Sequence, residues 1–310
     1  MEVHFGLSAL HAEWASAVVC VGTFDGVHEG HQAVISRAVE EARSKELPCC
    51  LVTFDRHPAA VLHPESVPPA LGTLEENMEA IDALGVAVCL ILPFDKALSE
   101  TTAERFLWEI LVDALKAESV VIGHDFAMGK GRRGDAEWLR QHIACTVVPP
   151  FEIEGRRVSS SEIRHAIAAG DVERAAKLLG RSFAVSGVVV PGQRLGRTLG
   201  YPTANIGRSF NLVLPADGIY AAQFLCDGDT YWAAVSIGVR PAVGGGQRTV
   251  EAYLLDYGGR SLYGKSCRLS LLRRLREERN FSSIDGLTTQ IGLDVEEVRR
   301  IARSREFATS

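Results

Sequence analysis

Apolar residues recur along this chain in two rhythms. Up to about residue 150, short runs of small and β-branched apolar residues alternate with segments whose apolar positions return every three or four residues. The runs at 17–21, 49–54, 86–92, 119–122 and 145–148 predict buried strands, and the segments at 32–45, 75–84, 102–115 and 135–142 predict helices between them. In the segment 32–45, Val34, Ala38 and Ala42 stand beside Ile35 and Val39 on one face. Strands alternating with helices predict a parallel sheet covered on both faces. Two more helices follow. One starts near Ser159 and ends at Gly170; the other is capped by Asp171, spans 172–179 and is closed by Gly180.

Beyond Arg181 the rhythm changes. Strand-like runs at 183–190, 218–225, 231–237, 249–255 and 265–272 are separated by turn residues such as Asp227-Gly228-Asp229 and Gly258-Gly259. This spacing predicts a small antiparallel barrel. A helical segment at 284–302, with Ser282 or Ser283 as its cap, closes the pattern. The expected division is therefore 1–182 and 183–310, and 310 residues suit two domains better than one.

Composition narrows this picture a little. Hydrophobic residues make up 46% and charged residues 23%, ordinary values for a globular protein. A formal net charge of −6 gives no sign of a general nucleic-acid or membrane binder. The seven cysteines include no Cys-x-x-Cys, and Cys20, Cys49, Cys50 and Cys89 lie in apolar runs, as expected of reduced thiols in a cytoplasmic protein. No signal-peptide pattern and no membrane-spanning run is apparent. No pattern in the chain specifies an oligomeric state.

Ligands of parallel α/β sheets bind beyond the carboxyl ends of the strands, and four loops there carry chemistry. Residues 22–31, Gly-Thr-Phe-Asp-Gly-Val-His-Glu-Gly-His, join a strand to a helix N-terminus, where an anion is stabilised. His28 and His31 can donate to phosphate oxygens there; the same pair can also be half of a metal site, although no ligand cluster at zinc spacing accompanies it. The second loop, Thr53-Phe54-Asp55-Arg56-His57-Pro58, is a strand running into a turn. The third, 123–135, holds four glycines and three cations and reads either as a flexible polyphosphate loop or as a solvated surface loop. In the fourth, Ser159 and Glu162 fit a capping box, which leaves Ser160, Ser161 and Arg164 projecting from a helix start.

In the second half, Gly196-Arg197-Thr198-Leu199-Gly200-Tyr201-Pro202-Thr203-Ala204-Asn205 can hold phosphates and a hydrated Mg²⁺, or be an ordinary loop. Glu251 lies in an apolar strand, where a single acid more often faces solvent.

The four loops, in this order, resemble the nucleotidylyltransferase domain of the bacterial bifunctional riboflavin kinase/FMN adenylyltransferase (FAD synthetase) family. The 196–205 stretch resembles that family's riboflavin kinase motif, and its continuation is present at Gly218-Ile219-Tyr220, Val250-Glu251, Leu255-Asp256 and Leu275-Arg276-x-Glu278-x-x-Phe281. The resemblance covers about residues 15–303. It implies a Rossmann-like α/β nucleotidylyltransferase domain with a His-x-Gly-His element, followed by a β-barrel kinase domain with a C-terminal helix. It implies ATP-dependent phosphorylation of riboflavin to FMN, then adenylylation of FMN to FAD and pyrophosphate, with Mg²⁺ as cofactor and riboflavin, FMN, FAD, ATP and ADP as partners.

The resemblance also implies roles. Glu251, His28, His31 and Arg164 would be catalytic. Gly22, Phe24, Asp25, Gly26, His28, His31, Ser160, Ser161 and Arg164 would bind one ATP; Gly196, Arg197, Thr203 and Asn205 would bind the other. Thr203 and Asn205 would hold the metal, and Asp125, Phe54, His57 and Arg276 would face flavin. The chain departs from the family pattern at Arg56, Asn77, Ala127, Met128, Glu162, Ser236, Ala242 and Val243. A divergent paralogue with an active kinase and weak adenylylation is the alternative reading; a non-catalytic flavin or nucleotide binder would have lost His28, His31, Thr203 or Glu251, and all four are present.

Overall fold

The computed structural model describes residues 1–192, 196, 199–208, 211–240 and 247–306. They form two compact units, Met1–Ser160 and Ser161–Ser310.

The first unit is built on six parallel strands: β1 (Glu2–Phe5), β2 (Ala17–Val21), β3 (Cys49–Phe54), β4 (Val88–Leu92), β5 (Ala117–Gly123) and β6 (Ala144–Val148). Their order across the sheet is β1-β4-β3-β2-β5-β6, with every pairing parallel. All five residues of β2 are buried, as a central parallel strand covered on both faces requires. Chain direction across the sheet reverses beside β2: β3 and β4 extend to one side, β5 and β6 to the other. The loops after β2 and β5 therefore flank the topological switch point, the usual ligand crevice of such sheets.

Helix α1 (Glu29–Ser44) buries Val34, Ile35, Ala38, Val39 and Ala42 against the sheet, the face that its sequence periodicity marks. Its far end is fixed by a polar tie. The Glu41 carboxylate accepts from Ser119 Oγ at 2.6 Å, Thr146 Oγ1 at 2.9 Å and Lys45 Nζ at 3.1 Å. Helix α2 (Leu74–Ala83) opens on a complete capping box between Thr73 and Glu76. The segment expected at 102–115 is helical but irregular: a turn at Ala103–Arg105 continues as a π-helix over Phe106–Ala114. Helix α3 (Ala136–His142) is capped by Asp135.

The second unit opens with α4 (Ser160–Ala168) and α5 (Val172–Leu179), the latter ended by Gly180 at φ 73°. A closed six-stranded antiparallel barrel follows: β7 (Ala184–Val190), β8 (Thr203–Gly207), β9 (Gly218–Cys226), β10 (Asp229–Arg240), β11 (Gln247–Leu254) and β12 (Ser266–Arg276), in the order β7-β8-β11-β10-β9-β12. Pairing of β12 with β7 closes it. Helix α6 (Ile284–Glu306) packs Val295, Val298 and Ile301 on the barrel's outside against Ala221 and Leu255, with Trp232, Ala234 and Tyr253 at the margin.

Two strands were not expected from the sequence, β1 at the sheet edge and β8 inside the stretch read as a phosphate loop. By contact, α4 and α5 group with the barrel, so the compact division at Ser160 precedes the sequence boundary at 182. Glu173 on α5 meets Arg273 on β12 at 3.2 Å, a contact that accounts for this grouping. All seven cysteines are free thiols, and Cys50, Cys89 and Cys267 are pushed up to about 12 chiefly by burial.

Candidate active sites

The loop from β2 to α1 is held in an unusual backbone conformation. Phe24, Gly26 and Val27 have φ of 47°, 77° and 38°. A left-handed β-branched residue is a genuine outlier, and each such non-glycine position costs about 1–3 kcal/mol unless its surroundings enforce it. Phe24 and Val27 are both buried. The loop is tied on several sides. Thr53 Oγ1 donates to the Thr23 carbonyl at 3.1 Å, Gly26 N–H donates to Asn77 Oδ1 at 3.1 Å, and Leu71 N–H donates to Asp25 Oδ1 at 3.0 Å. Ser160 Oγ reaches the Asp25 carbonyl at 3.4 Å, and Gln32 Nε2 donates to the Val27 carbonyl at 3.0 Å.

These bonds revise the sequence picture of bare N–H groups around the loop. Gly22 N–H goes to Val52, Val27 N–H to Phe24 and Gly26 N–H to Asn77. Asp25, expected to touch ATP, has its carboxylate engaged by the Leu71 amide. The groups aimed at the helix start are the two imidazoles. His28 caps α1, its Nδ1 accepting from His31 N–H at 3.2 Å, which leaves the ring proton of the neutral form on Nε2. The His31 ring stacks on it with centroids 3.6 Å apart and planes 16° from parallel, and the Phe24 edge supports the other side at 5.4 Å. His31 Nδ1 is buried with no hydrogen-bond partner. Burial first, and then the neighbouring His28, hold the His31 pKa well below the usual value. The stacked pair stands at the N-terminus of α1, where an anion could supply the partner that His31 Nδ1 lacks.

The residues expected beside flavin in this unit take defined places. Phe54 ends β3 and meets Phe94 edge-on at 5.2 Å. His57 Nδ1 accepts from Ala59 N–H at 3.1 Å. Asp125 is ion-paired to Arg157, and Arg132 donates to its carbonyl at 2.9 Å. Burial alone would raise the Asp125 carboxyl, but the Arg157 guanidinium outweighs it and holds the group below the usual range. Asp55 takes both Phe94 N–H and the Arg56 guanidinium, so the charge of Arg56 is neutralised locally.

The 123–135 stretch is not the flexible loop its composition predicts. Ala127–Met128 pairs antiparallel with Gly134–Asp135, and Lys130 is tied through its N–H to Thr101 and through Nζ to Glu100. Gly129, at φ 74°, lies so close to the Ala103 backbone that any side chain there would collide with it. Ala127 and Met128 form one strand of this hairpin.

Ser161 and Arg164 lie on α4, in the second unit. Glu162, a departure that would place negative charge near the anion, is paired with Arg174 at 3.1 Å.

On the barrel, the alternation of side chains sorts the candidate residues onto one face. Val250, Ala252, Val235 and Ile237 are buried inside. Glu251 and Ser236 therefore point outward, as do Thr203 and Asn205 two residues apart on β8. In register, Asn205 is opposite Glu251, and Glu251 is opposite Ser236. Thr203 Oγ1 donates to Glu251 Oε2 at 3.1 Å. The Gly196 carbonyl, N-terminal to β8, takes Tyr201 N–H at 2.8 Å, and a side chain at 196 would collide with the Tyr201 carbonyl. Gly192 packs against the Asn205 amide, where a side chain would not fit. Arg197, Ala242 and Val243 lie outside the described residues.

Arg276, expected near flavin, gives its guanidinium to the protein. Nε and Nη2 grip Asp294 of α6 at 2.9 and 2.6 Å, Nη1 donates to the Glu277 carbonyl at 2.9 Å, and the Phe281 ring lies 6.0 Å from its carbon. Arg276 is 13% and Asp294 8% exposed, and Gln290 Nε2 adds a third bond to Asp294. Leu71, Arg157 and Asp294 escaped sequence reasoning as site-shaping residues, because each acts across a long stretch of chain with no local pattern, and Asn77 was marked only as a departure from the family pattern.

Comparison with known proteins follows the same division. Residues 10–162 match the FAD synthetase family and residues 179–302 the riboflavin kinase family. Proteins named bifunctional riboflavin kinase/FMN adenylyltransferase are similar over nearly the whole chain. The one from Pseudomonas fluorescens is 37% identical over 97% of this chain and 98% of its own. The one from Escherichia coli K12 is 36% identical over 89% and 90%. A solved structure described as a macrolide-efflux protein from Streptococcus pneumoniae superposes with a TM-score of 0.89 at 30% identity, covering 96% of this chain and 99% of that one. No helix among the described residues is long and apolar enough to cross a membrane. These matches over nearly the whole chain make it a member of the bifunctional riboflavin kinase/FMN adenylyltransferase family.

Proposed function

We propose that the chain carries out two successive ATP-dependent transfers, phosphorylating riboflavin to FMN on the barrel and adenylylating FMN to FAD in the α/β unit, with the functional boundary near residue 182. The observation that carries the reading is the Thr203–Glu251 contact on the barrel's outer face, because a kinase there makes the substrate that the other half consumes. The single-activity alternative gains no support from the matches, which cover both halves.

On the barrel, Glu251 acts as general base. Its Oε2 takes the proton of the riboflavin 5′-hydroxyl as that oxygen attacks the γ-phosphorus and ADP departs. The Thr203 hydroxyl orients this carboxylate, and Asn205 stands opposite it in register. The donor set fits Mg²⁺, because the Thr203 hydroxyl and the Asn205 amide oxygen are hard ligands. Thr203 and Asn205 would hold the ion, which supplies charge neutralisation on the phosphates. Gly196 and Arg197 are assigned to the same ATP by resemblance.

In the α/β unit no general base is required, because the attacking FMN phosphate is already anionic. Its oxygen attacks the α-phosphorus and pyrophosphate leaves. His28 Nε2–H and the His31 ring meet the phosphates and stabilise the charge that grows on them. Phe54, His57 and Asp125 are the proposed flavin side of this site; Ser161 and Arg164 are assigned to its ATP by resemblance alone. The enzyme is placed in the cytoplasm, where ATP and the flavins it handles are found.

The test separates flavins over time after addition of riboflavin, ATP and Mg²⁺. Glu251→Gln is expected to lower riboflavin phosphorylation at least 100-fold, the usual scale for a lost general base, and to leave adenylylation of supplied FMN intact. His28→Ala is expected to accumulate FMN without FAD. Loss of both activities in a folded Glu251→Gln protein would overturn the assignment of one chemistry to each half.

A further inference from the structure

We infer that Asn77 is a positioning residue for adenylyl transfer: its side-chain carbonyl holds the 24–27 loop in the left-handed conformation that sets His28 and His31. The inference rests on the placement of the ATP phosphates at the 22–31 loop.

The geometry is that of a clasp. Gly26 sits between two strained residues, Phe24 and Val27, and its own φ is 77°. Its N–H donates to Asn77 Oδ1 at 3.1 Å. One residue earlier, Asp25 Oδ1 accepts from Leu71 N–H at 3.0 Å. Successive loop residues are thus held by one segment, 71–77. That segment is itself rigid, because the Thr73–Glu76 capping box fixes the start of α2 and Asn77 N–H bonds to the Thr73 carbonyl at 3.1 Å. Directly after the clasped residues, Val27 leads into His28, which caps α1 and receives His31 N–H. A shift at Gly26 therefore moves the His28 ring and the His31 ring stacked on it.

The chemistry of the residue matters as much as its reach. An amide oxygen accepts the N–H without adding charge, whereas a carboxylate in the same place would oppose a triphosphate. A cation there would offer no acceptor to Gly26. Asn77 therefore serves the geometry of the loop and is neutral towards the anion.

The experiment uses the full-length protein, with riboflavin phosphorylation in the other half as an internal control for folding. Asn77→Ala is expected to lower kcat/KM for ATP in FMN adenylylation about tenfold, the scale of one lost hydrogen bond to a buried donor, with riboflavin phosphorylation unchanged. Its His28 and His31 ring resonances in NMR are expected to shift before any nucleotide is added. Asn77→Asp keeps the acceptor: its apo resonances are expected to match the wild type, while KM for ATP rises and the rise shrinks with added salt.

Wild-type kcat/KM in Asn77→Ala would overturn the inference. So would weakened activity with unmoved apo resonances, which would make Asn77 a direct ATP contact. If Asn77→Ala unfolds the α/β unit, Asn77→Asp decides alone: displaced apo resonances overturn the inference and unmoved ones support it. His28→Ala keeps the two readings apart. If it adenylylates FMN normally, the phosphate placement fails; if it is inactive and Asn77→Ala is normal, only the role of Asn77 fails.

Discussion

At the scale of single residues, His31 is a strongly perturbed histidine of the proposed α/β site. Its ring is stacked on His28, buried at Nδ1 and held well below the ordinary histidine pKa by burial and by its neighbour. In the apo protein its ring protons are expected to titrate below the ordinary histidine range, and ATP is expected to raise that pKa by giving the charged ring a partner; proton NMR with and without nucleotide measures both. The same shift acts on stability. Between the folded pKa and the unfolded value near 6.5, the unfolded chain binds the extra proton. Stability is therefore complete above about 6.5 and falls as the pH drops towards the folded value, by at most about 1.4 kcal/mol per pH unit from this group. His31→Gln is expected to remove that part of the acid sensitivity in denaturant titrations at pH 7 and pH 5. The histidine pair itself was legible in the sequence, because a strand, glycines and a helix start surround it. Its companions were not. Asn77, marked in the sequence only as a departure from the family pattern, lies 51 positions from the Gly26 amide that it accepts.

At the scale of elements, the join between β12 and α6 depends on one buried ion pair. Arg276 and Asp294 join the end of β12 to α6, with Gln290 as a further donor. Removing one partner leaves a buried charge uncompensated, which costs about 3–5 kcal/mol. Arg276→Ala is accordingly expected to destabilise the barrel unit by that amount, and Arg276→Met combined with Asp294→Leu to recover much of the loss in urea unfolding. A flavin contact by Arg276 would instead raise KM for riboflavin at unchanged stability. The elements were read from sequence with mixed success, for physical reasons. β2 and β3 were legible to the residue, because fully buried parallel strands are continuous apolar runs. β8 was hidden, since Thr203 and Asn205 face outward and the stretch is rich in glycine. β1 is four residues long, with Phe5 63% exposed at a sheet edge, so no alternation announces it. The 123–135 hairpin looked like a mobile cationic loop because its restraint, the approach of Gly129 to Ala103, depends on distant chain.

At the scale of the whole molecule, each proposed chemistry is assigned to its own side of the functional boundary near residue 182, and FMN is the shared compound. Glu251→Gln makes no FMN and His28→Ala uses none. An equimolar mixture of the two variants is therefore expected to convert riboflavin to FAD, because FMN released by one protein can be adenylylated by the other. Absence of FAD from the mixture, with each variant retaining its remaining activity, would mean that FMN does not leave the chain that made it. The division into an α/β half and a barrel half was plain in the sequence, since the spacing of strands changes after Arg181. The allegiance of α4 and α5 was not, because it is set by packing on β12, as in the Glu173–Arg273 contact.

The closure of the barrel has a consequence for the order in which the protein comes into being. The pair Thr203 and Glu251 belongs to strands that meet only when β8 finds β11, and the cylinder is sealed only when β12 finds β7. β12 leaves the ribosome after the six parallel strands have done so, and domains fold N-terminal first during synthesis. A growing chain thus completes the half that consumes FMN before the half that makes it. During cell-free synthesis, adenylylation of supplied FMN should appear ahead of riboflavin phosphorylation.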